Sequence, residues 1–269
     1  VYRSLTFLSS PVQLWQWTAP AYVRAVAVDS QFNVYAGDNS SYVTKLDSSG
    51  KQVWQRLGAQ YNYFDAVAVD SQLNVYAGDS TGCITKWGSN GNYVWAWSAS
   101  KLVYSVAVDS QFNVYSGSYF DNGVNHVTKL DSNGNRIWQW TAPNTPYSVA
   151  VDSQFNVYVG MDSDGASPGV IKFDSTGKQV WQWTAPGAVQ SVAVDSKFNV
   201  YVGASPGVIK LDSTGKQLWQ WTAPSYVNSV AVDSQFNVYA GDNSSHVTKL
   251  DSTGKQVWQW TAPGAVQSV

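Results

Sequence analysis

The stretch DSTGKQVWQWTAP, residues 251–263, and the stretch VAVDSQFNVY, residues 230–239, decide how this chain folds, because both recur along its whole length. The run that closes on a tryptophan is written seven times, six of them behind a DSTG-like turn, and VAVDSxxNVY six times. The aspartates of the second motif, Asp29, Asp70, Asp109, Asp152, Asp195 and Asp233, lie 41, 39, 43, 43 and 38 residues apart. Self-similarity at a period near forty belongs to radial or solenoidal repeat architectures.

Each unit divides into four short extended runs. In the first complete unit these are Arg24 to Val28, Asn33 to Gly37, Tyr42 to Leu46 and Lys51 to Gln55, separated by joints of Asp, Ser, Asn and Gly. Val, Tyr, Thr and Trp fill the runs, which is the composition of antiparallel strands closed by tight turns. No window of ten or more residues spaces its apolar positions as a helix would. The reading is an all-β chain, a single β-propeller domain over residues 1–269, built of four-stranded blades around a channel. A solenoid would need polar capping repeats, and the terminal units look like ordinary units cut open. PVQLWQWTAP at 11–20 reads as an outer strand without its blade, and GAVQSV at 264–269 repeats the lead into an innermost strand at 187–192. The expectation is therefore seven blades, the last split between the termini. Six is the alternative, because the split blade has no NVY hairpin of its own.

Fourteen tryptophans include six W-x-W pairs, at Trp15/Trp17, Trp95/Trp97, Trp138/Trp140, Trp181/Trp183, Trp219/Trp221 and Trp258/Trp260. Period-two spacing puts both rings of a pair on one face of the outer strand. Burying such rings against the next blade is worth several kcal/mol apiece at about 25 cal/mol per Å², so the pairs are expected to cement blades together rather than to stack sugars.

LDSTGKQLW at 211–219 and FDSTGKQVW at 173–181 resemble the tryptophan-docking motif of PQQ-like propeller repeats. AVDSQFNVYAG at 231–241 with HVTKLDSTG at 246–254 is similar to the bacterial β-propeller repeats called SBBP, and more loosely to NHL repeats. The resemblance covers nearly the whole chain and implies a propeller. Repeats of this kind occur in bacterial envelope proteins, secreted proteins and bacteriophage virion proteins, so it also implies a surface role. Quinoprotein catalysis is not carried over. Those enzymes hold their quinone with calcium, acidic ligands and often adjacent cysteines, whereas this chain has one cysteine, Cys83, and no glutamate.

Charge and composition narrow the class further. Sixteen Lys and Arg against eighteen Asp leave a formal net charge of -2 and no basic patch for nucleic acid. No apolar run reaches the length of a membrane span, so no membrane insertion is expected. The lack of an initiator Met and of a signal peptide reads as a processed form or a fragment. Most aspartates sit in equivalent turns, where the carboxylate is expected to accept backbone N–H groups; the exceptions are Asp65, Asp121, Asp162 and Asp164. A glycosidase pair is not found among them. His126 and His246 occupy the same place in different blades and form neither a metal set nor a triad. Asp162 and Asp164 open like a calcium loop but lack its third acidic position and closing glutamate, so a polar loop is the favoured reading over a weak metal site. No catalytic residue, cofactor or enzymatic activity is expected.

The units disagree with one another on one side only. Joints after the first and third strands repeat as DSQFN and DSxG. Joints after the second and fourth vary in every unit, and include SYFDNGVN at 118–125, MDSDGASPG at 161–169 and RLGAQYNYF at 56–64. Insertions gathered on one face of a repeat protein mark an interaction side. That face carries Tyr61, Tyr63, Phe64, Tyr119, Phe120, Asn122, Asn125 and His126, the candidate binding residues. The expected function is a non-enzymatic structural or adhesive module, extracellular on a virion or cell surface, with protein subunits of the assembly as partners. The alternative is a carbohydrate-binding propeller that takes glycans on the variable face.

Overall fold

A computed structural model of the chain describes residues 11–58, 62–98, 101–119, 123–162 and 168–269. Six four-stranded antiparallel sheets follow one another, each with its strands side by side in chain order. They stand as the blades of a propeller ring. The innermost strands are Val23–Val28, Phe64–Val69, Val103–Val108, Pro146–Val151, Val189–Val194 and Val227–Val232. Each of the first five touches the innermost strand of the next blade. This up-and-down order places joints after strands one and three at one end of every blade and the other joints at the opposite end.

Six blades are complete, the smaller of the two expected counts. A seventh four-stranded blade is not formed among the described residues, because the chain supplies only its flanks. Segment 264–269 leads in beside blade six, where the Val266 amide donates to the Asp242 carbonyl at 3.0 Å and the Val269 amide to Ser229 Oγ at 3.1 Å. Ser268 Oγ then accepts the Val26 amide of blade one at 3.3 Å, so the segment bridges the last blade to the first. Segment 11–19 reaches blade one through Trp15, whose Nε1 donates to the Ser48 carbonyl at 3.0 Å. Neither segment is in a strand.

The repeated residues have repeated work. In the DSQFN turn, Asp29 Oδ1 accepts the amides of Gln31 and Asn33 at 2.8 and 2.9 Å, and Oδ2 accepts Asn33 Nδ2 and the Tyr35 hydroxyl, both at 2.8 Å. The same four bonds form around Asp70, Asp109, Asp152, Asp195 and Asp233. Bonds to a charged acceptor contribute about 1.5–3 kcal/mol each, which explains a buried aspartate in five of the six blades and a half-buried one in the sixth. In the DSTG turn the carboxylate does the same at the surface, as Asp212 Oδ1 accepts the amides of Thr214 and Lys216.

Tryptophan joins neighbouring blades as expected. Trp219 of blade five donates Nε1 to the Ser252 carbonyl of blade six at 3.2 Å, and its ring lies over Gly254. Trp54, Trp95 and Trp181 reach Ser89, Ser132 and Ser213 in the same way. Inside each blade the tyrosine of the NVY run packs on the first tryptophan with centroids 6.0 to 6.3 Å apart. The lysine of the third strand lies over that tyrosine ring. Closer to the axis, blades meet through glycine in the second strand. A Cβ on Gly78 would stand 2.4 Å from Val103 Cγ1 of blade three, so a side chain there would push the blades apart.

Candidate functional site at the channel mouth

Every innermost strand carries a β-bulge in the same place. Pairing with the second strand slips between Val23 and Ala25, Phe64 and Ala66, Pro146 and Ser148, Val189 and Ser191, and Val227 and Ser229, with the same slip between Val103 and Ser105 in blade three. The residue left out of the ladder is Arg24, Asp65, Tyr104, Tyr147, Gln190 or Asn228. A bulge re-aims a side chain and is common beside functional sites. Because each strand begins at the variable face, the bulges ring the channel mouth on that face. The residue that escapes the ladder is also the residue that differs from blade to blade.

A cavity of about 160 Å³ opens at this mouth, lined by Arg24, Asp65, Tyr104, Tyr147, Gln267 and a set of serines. Arg24 Nε lies 2.9 Å from Asp65 Oδ1, but its N–H is not aimed at that oxygen. The Arg24 guanidinium also rests on the Tyr63 ring, 4.2 Å from its centroid. Across the mouth Tyr104 and Tyr147 meet edge to face at 5.1 Å. Burial pushes the Asp65 carboxyl up to about 6, against the pull of Arg24. Burial raises the Tyr104 hydroxyl as well, with added repulsion from Tyr147, Asp65, Tyr63 and Tyr119. The Tyr147 hydroxyl is raised by burial and by Asp162. Both phenols therefore keep their protons at neutral pH and can donate.

Serine hydroxyls line the wall one residue beyond the bulges. Ser105, Ser148, Ser191, Ser229 and Ser268 each accept the amide of the following blade or segment, from Val149, Val192, Val230, Val269 and Val26, at 2.9 to 3.3 Å. Blades one and two have Ala25 and Ala66 in this position and so offer no hydroxyl to the blade that follows. That gap in the serine ring lies beside the ion pair.

The candidate residues read from the sequence fall into three groups. Tyr63 and Tyr119 are half-buried and close enough to the mouth to act on the Tyr104 hydroxyl. Phe64 is a correction. It is fully buried in the core between blades one and two, edge-on to Trp87 at 6.1 Å, because the first residue of an innermost strand points into the adjoining blade. Asn125 is buried at the start of the third strand of blade three, its Oδ1 without a hydrogen-bond partner. His126 follows it, half-buried, its imidazole pKa lowered chiefly by burial. Tyr61, Phe120, Asn122 and Asp164 lie outside the described residues. Asp162 is exposed, its amide bound to the Thr145 carbonyl and its carbonyl to Asn144 Nδ2. Among the described residues no three His, Cys or Asp side chains gather as a metal would require, and no helix is long and apolar enough to cross a membrane.

The sequence reading missed the bulge ring. Its signal was present: in the column before Ala-Val-Ala-Val or Ser-Val-Ala-Val the residues run Arg, Asp, Tyr, Tyr, Gln, Asn, while their neighbours scarcely change. The loops drew attention because their lengths differ, whereas this column keeps its length and changes only its chemistry.

Two comparisons bear on this arrangement. The family model described as outer membrane protein assembly factor BamB, a PQQ-like repeat model named PQQ_2, matches residues 123–268, more than half of the chain. No curated protein matches it.

Proposed function

Because the chain belongs to the PQQ-like propeller family described by the assembly factor BamB, we propose that it is a non-enzymatic interaction module, a rigid disc displayed on a virion or bacterial cell surface. It binds neighbouring protein subunits through the face on which its joints differ. One observation carries this reading: diversity is confined to one side. The bulge residues and the uneven joints share that side, while the other repeats two turns, DSQFN and DSxG, each built on bonds to its aspartate. Selection for stability alone would leave both sides equally regular. Among the described residues that line the cavity Asp65 is the one carboxylate, and an arginine, two protonated phenols and serine hydroxyls around it suit binding. Labelling tests the display: an antibody raised against the chain is expected to decorate intact virions or cells of the source, and decoration only after lysis would contradict it.

Glycan binding is the second reading. The favouring observation is the Tyr104–Tyr147 pair beside the Asp65 carboxylate, two phenol donors next to a hydrogen-bond acceptor. A propeller lectin with one pocket per blade would repeat this set. Here the set occurs once, so the site would be single and asymmetric.

A further inference from the structure

We propose that the channel mouth holds one neutral sugar ring, bound between the Arg24–Asp65 pair and the Tyr104–Tyr147 pair. This inference rests on the glycan reading of the variable face and gives it a place and a ligand class.

The lining selects against the other classes. An apolar ligand would strip water from an arginine, an aspartate, two phenols and several hydroxyls and return nothing. A free anion would meet Asp65, and a free cation would meet Arg24, so neither charge gains from entering. A neutral polyol meets complementary groups on every side. The Asp65 carboxylate accepts hydrogen bonds from two hydroxyls, and Arg24, whose Nε lies beside Asp65, has its terminal N–H groups to give. Each wall serine spends one oxygen lone pair on a backbone amide and keeps its own proton to donate. Ala25 and Ala66 leave the lining open at the end nearest the ion pair, where Val67 and Val106 also border the cavity. The exposed lining is almost wholly polar, so the ligand is held by hydrogen bonds to its hydroxyls, with the Tyr104 and Tyr147 phenols as donors. The cavity, about 160 Å³, is on the scale of one ring and excludes a folded oligosaccharide. The ring of blades does not repeat these groups, so one molecule binds one ligand.

Saturation-transfer NMR on the full chain at pH 7.5 tests this, with glucose, galactose, mannose, their N-acetylhexosamines and the matching uronic acids as probes. Transfer from at least one neutral sugar is expected, weakened at least tenfold by Asp65→Asn and again by Tyr147→Ala, with both variants melting cooperatively. Tyr147→Ala lies across the mouth from the ion pair and keeps the test open should either variant unfold. Transfer from none of the neutral probes, from uronates alone, or undiminished in the folded variants overturns the inference. The interaction-face reading fails separately, by the polymer-shielding measurement that closes the Discussion, because a disc that docks on protein subunits needs no sugar in its mouth.

Discussion

Asp65 shows how one residue can escape the rule of its repeat. In the other blades the bulge position holds a cation, a phenol or an amide, and the remaining aspartates among the described blades mostly serve turns. Asp65 has no amide to accept. It has burial and Arg24 of blade one, with Tyr104 of blade three close by, and burial wins, so its pKa rises from 3.8 to about 6. A raised carboxyl favours the folded state fully below the unfolded value, and that contribution is lost as pH rises through 6. The rise corresponds to about 3 kcal/mol. Denaturant unfolding of the parent and of Asp65→Asn across pH 2.5 to 7.5 is therefore expected to give a stability difference, parent minus variant, that is level below about pH 3, falls by about 3 kcal/mol as pH rises through the interval from 3.8 to about 6, and is level again above about pH 7. A difference that does not change with pH would contradict the buried setting of this carboxylate.

The elements were read well from the sequence where the repeat dictates them. The four runs of the first unit match strands Val23–Val28, Val34–Asp38, Tyr42–Leu46 and Gln52–Leu57 to within two residues, because alternation and turn chemistry both speak locally. The bulges were not legible, since a register slip depends on how two strands pair and leaves no composition mark. Burial was also overstated for the outer strand. Its tryptophans share a face as period two requires, yet most are half-buried, and Trp260 is 39% exposed on blade six, which no complete blade follows among the described residues. What those rings do is dock on the next blade's turn. Gly254 sits there with φ +86°, and a Cβ would come within 2.8 Å of the Trp219 ring. Left-handed backbone costs a non-glycine residue roughly 1–2 kcal/mol before any clash. Gly254→Ala is expected to destabilise the chain by about 2–3 kcal/mol, the strain plus an overpacked contact, measured by urea unfolding. A loss under about 0.5 kcal/mol, the scale of an ordinary surface change, would mean the ring does not bear on the turn.

At the scale of the whole molecule, the architecture follows from the period and the blade count does not. Seven runs that close on a tryptophan imply seven blades, but the seventh lacks the central hairpin, so its flanks fasten blade six to blade one without making a sheet. The side on which the units differ was legible, yet its centre was not. Loop lengths pointed to the rim of that face, and the structure gathers Arg24, Asp65, Tyr104 and Tyr147 at its axis. The central claim is that this face, and not the regular one, makes contact. Polymer shielding tests it most directly. In a Cys83→Ser background, a maleimide polymer is attached at Ser40→Cys on the variable face or at Ser30→Cys on the regular face, both exposed positions of blade one, and retention on the stripped source particle or cell is measured. The polymer at position 40 is expected to abolish retention and the polymer at position 30 to leave it intact; loss from position 30 alone, or equal retention from both, would contradict the account.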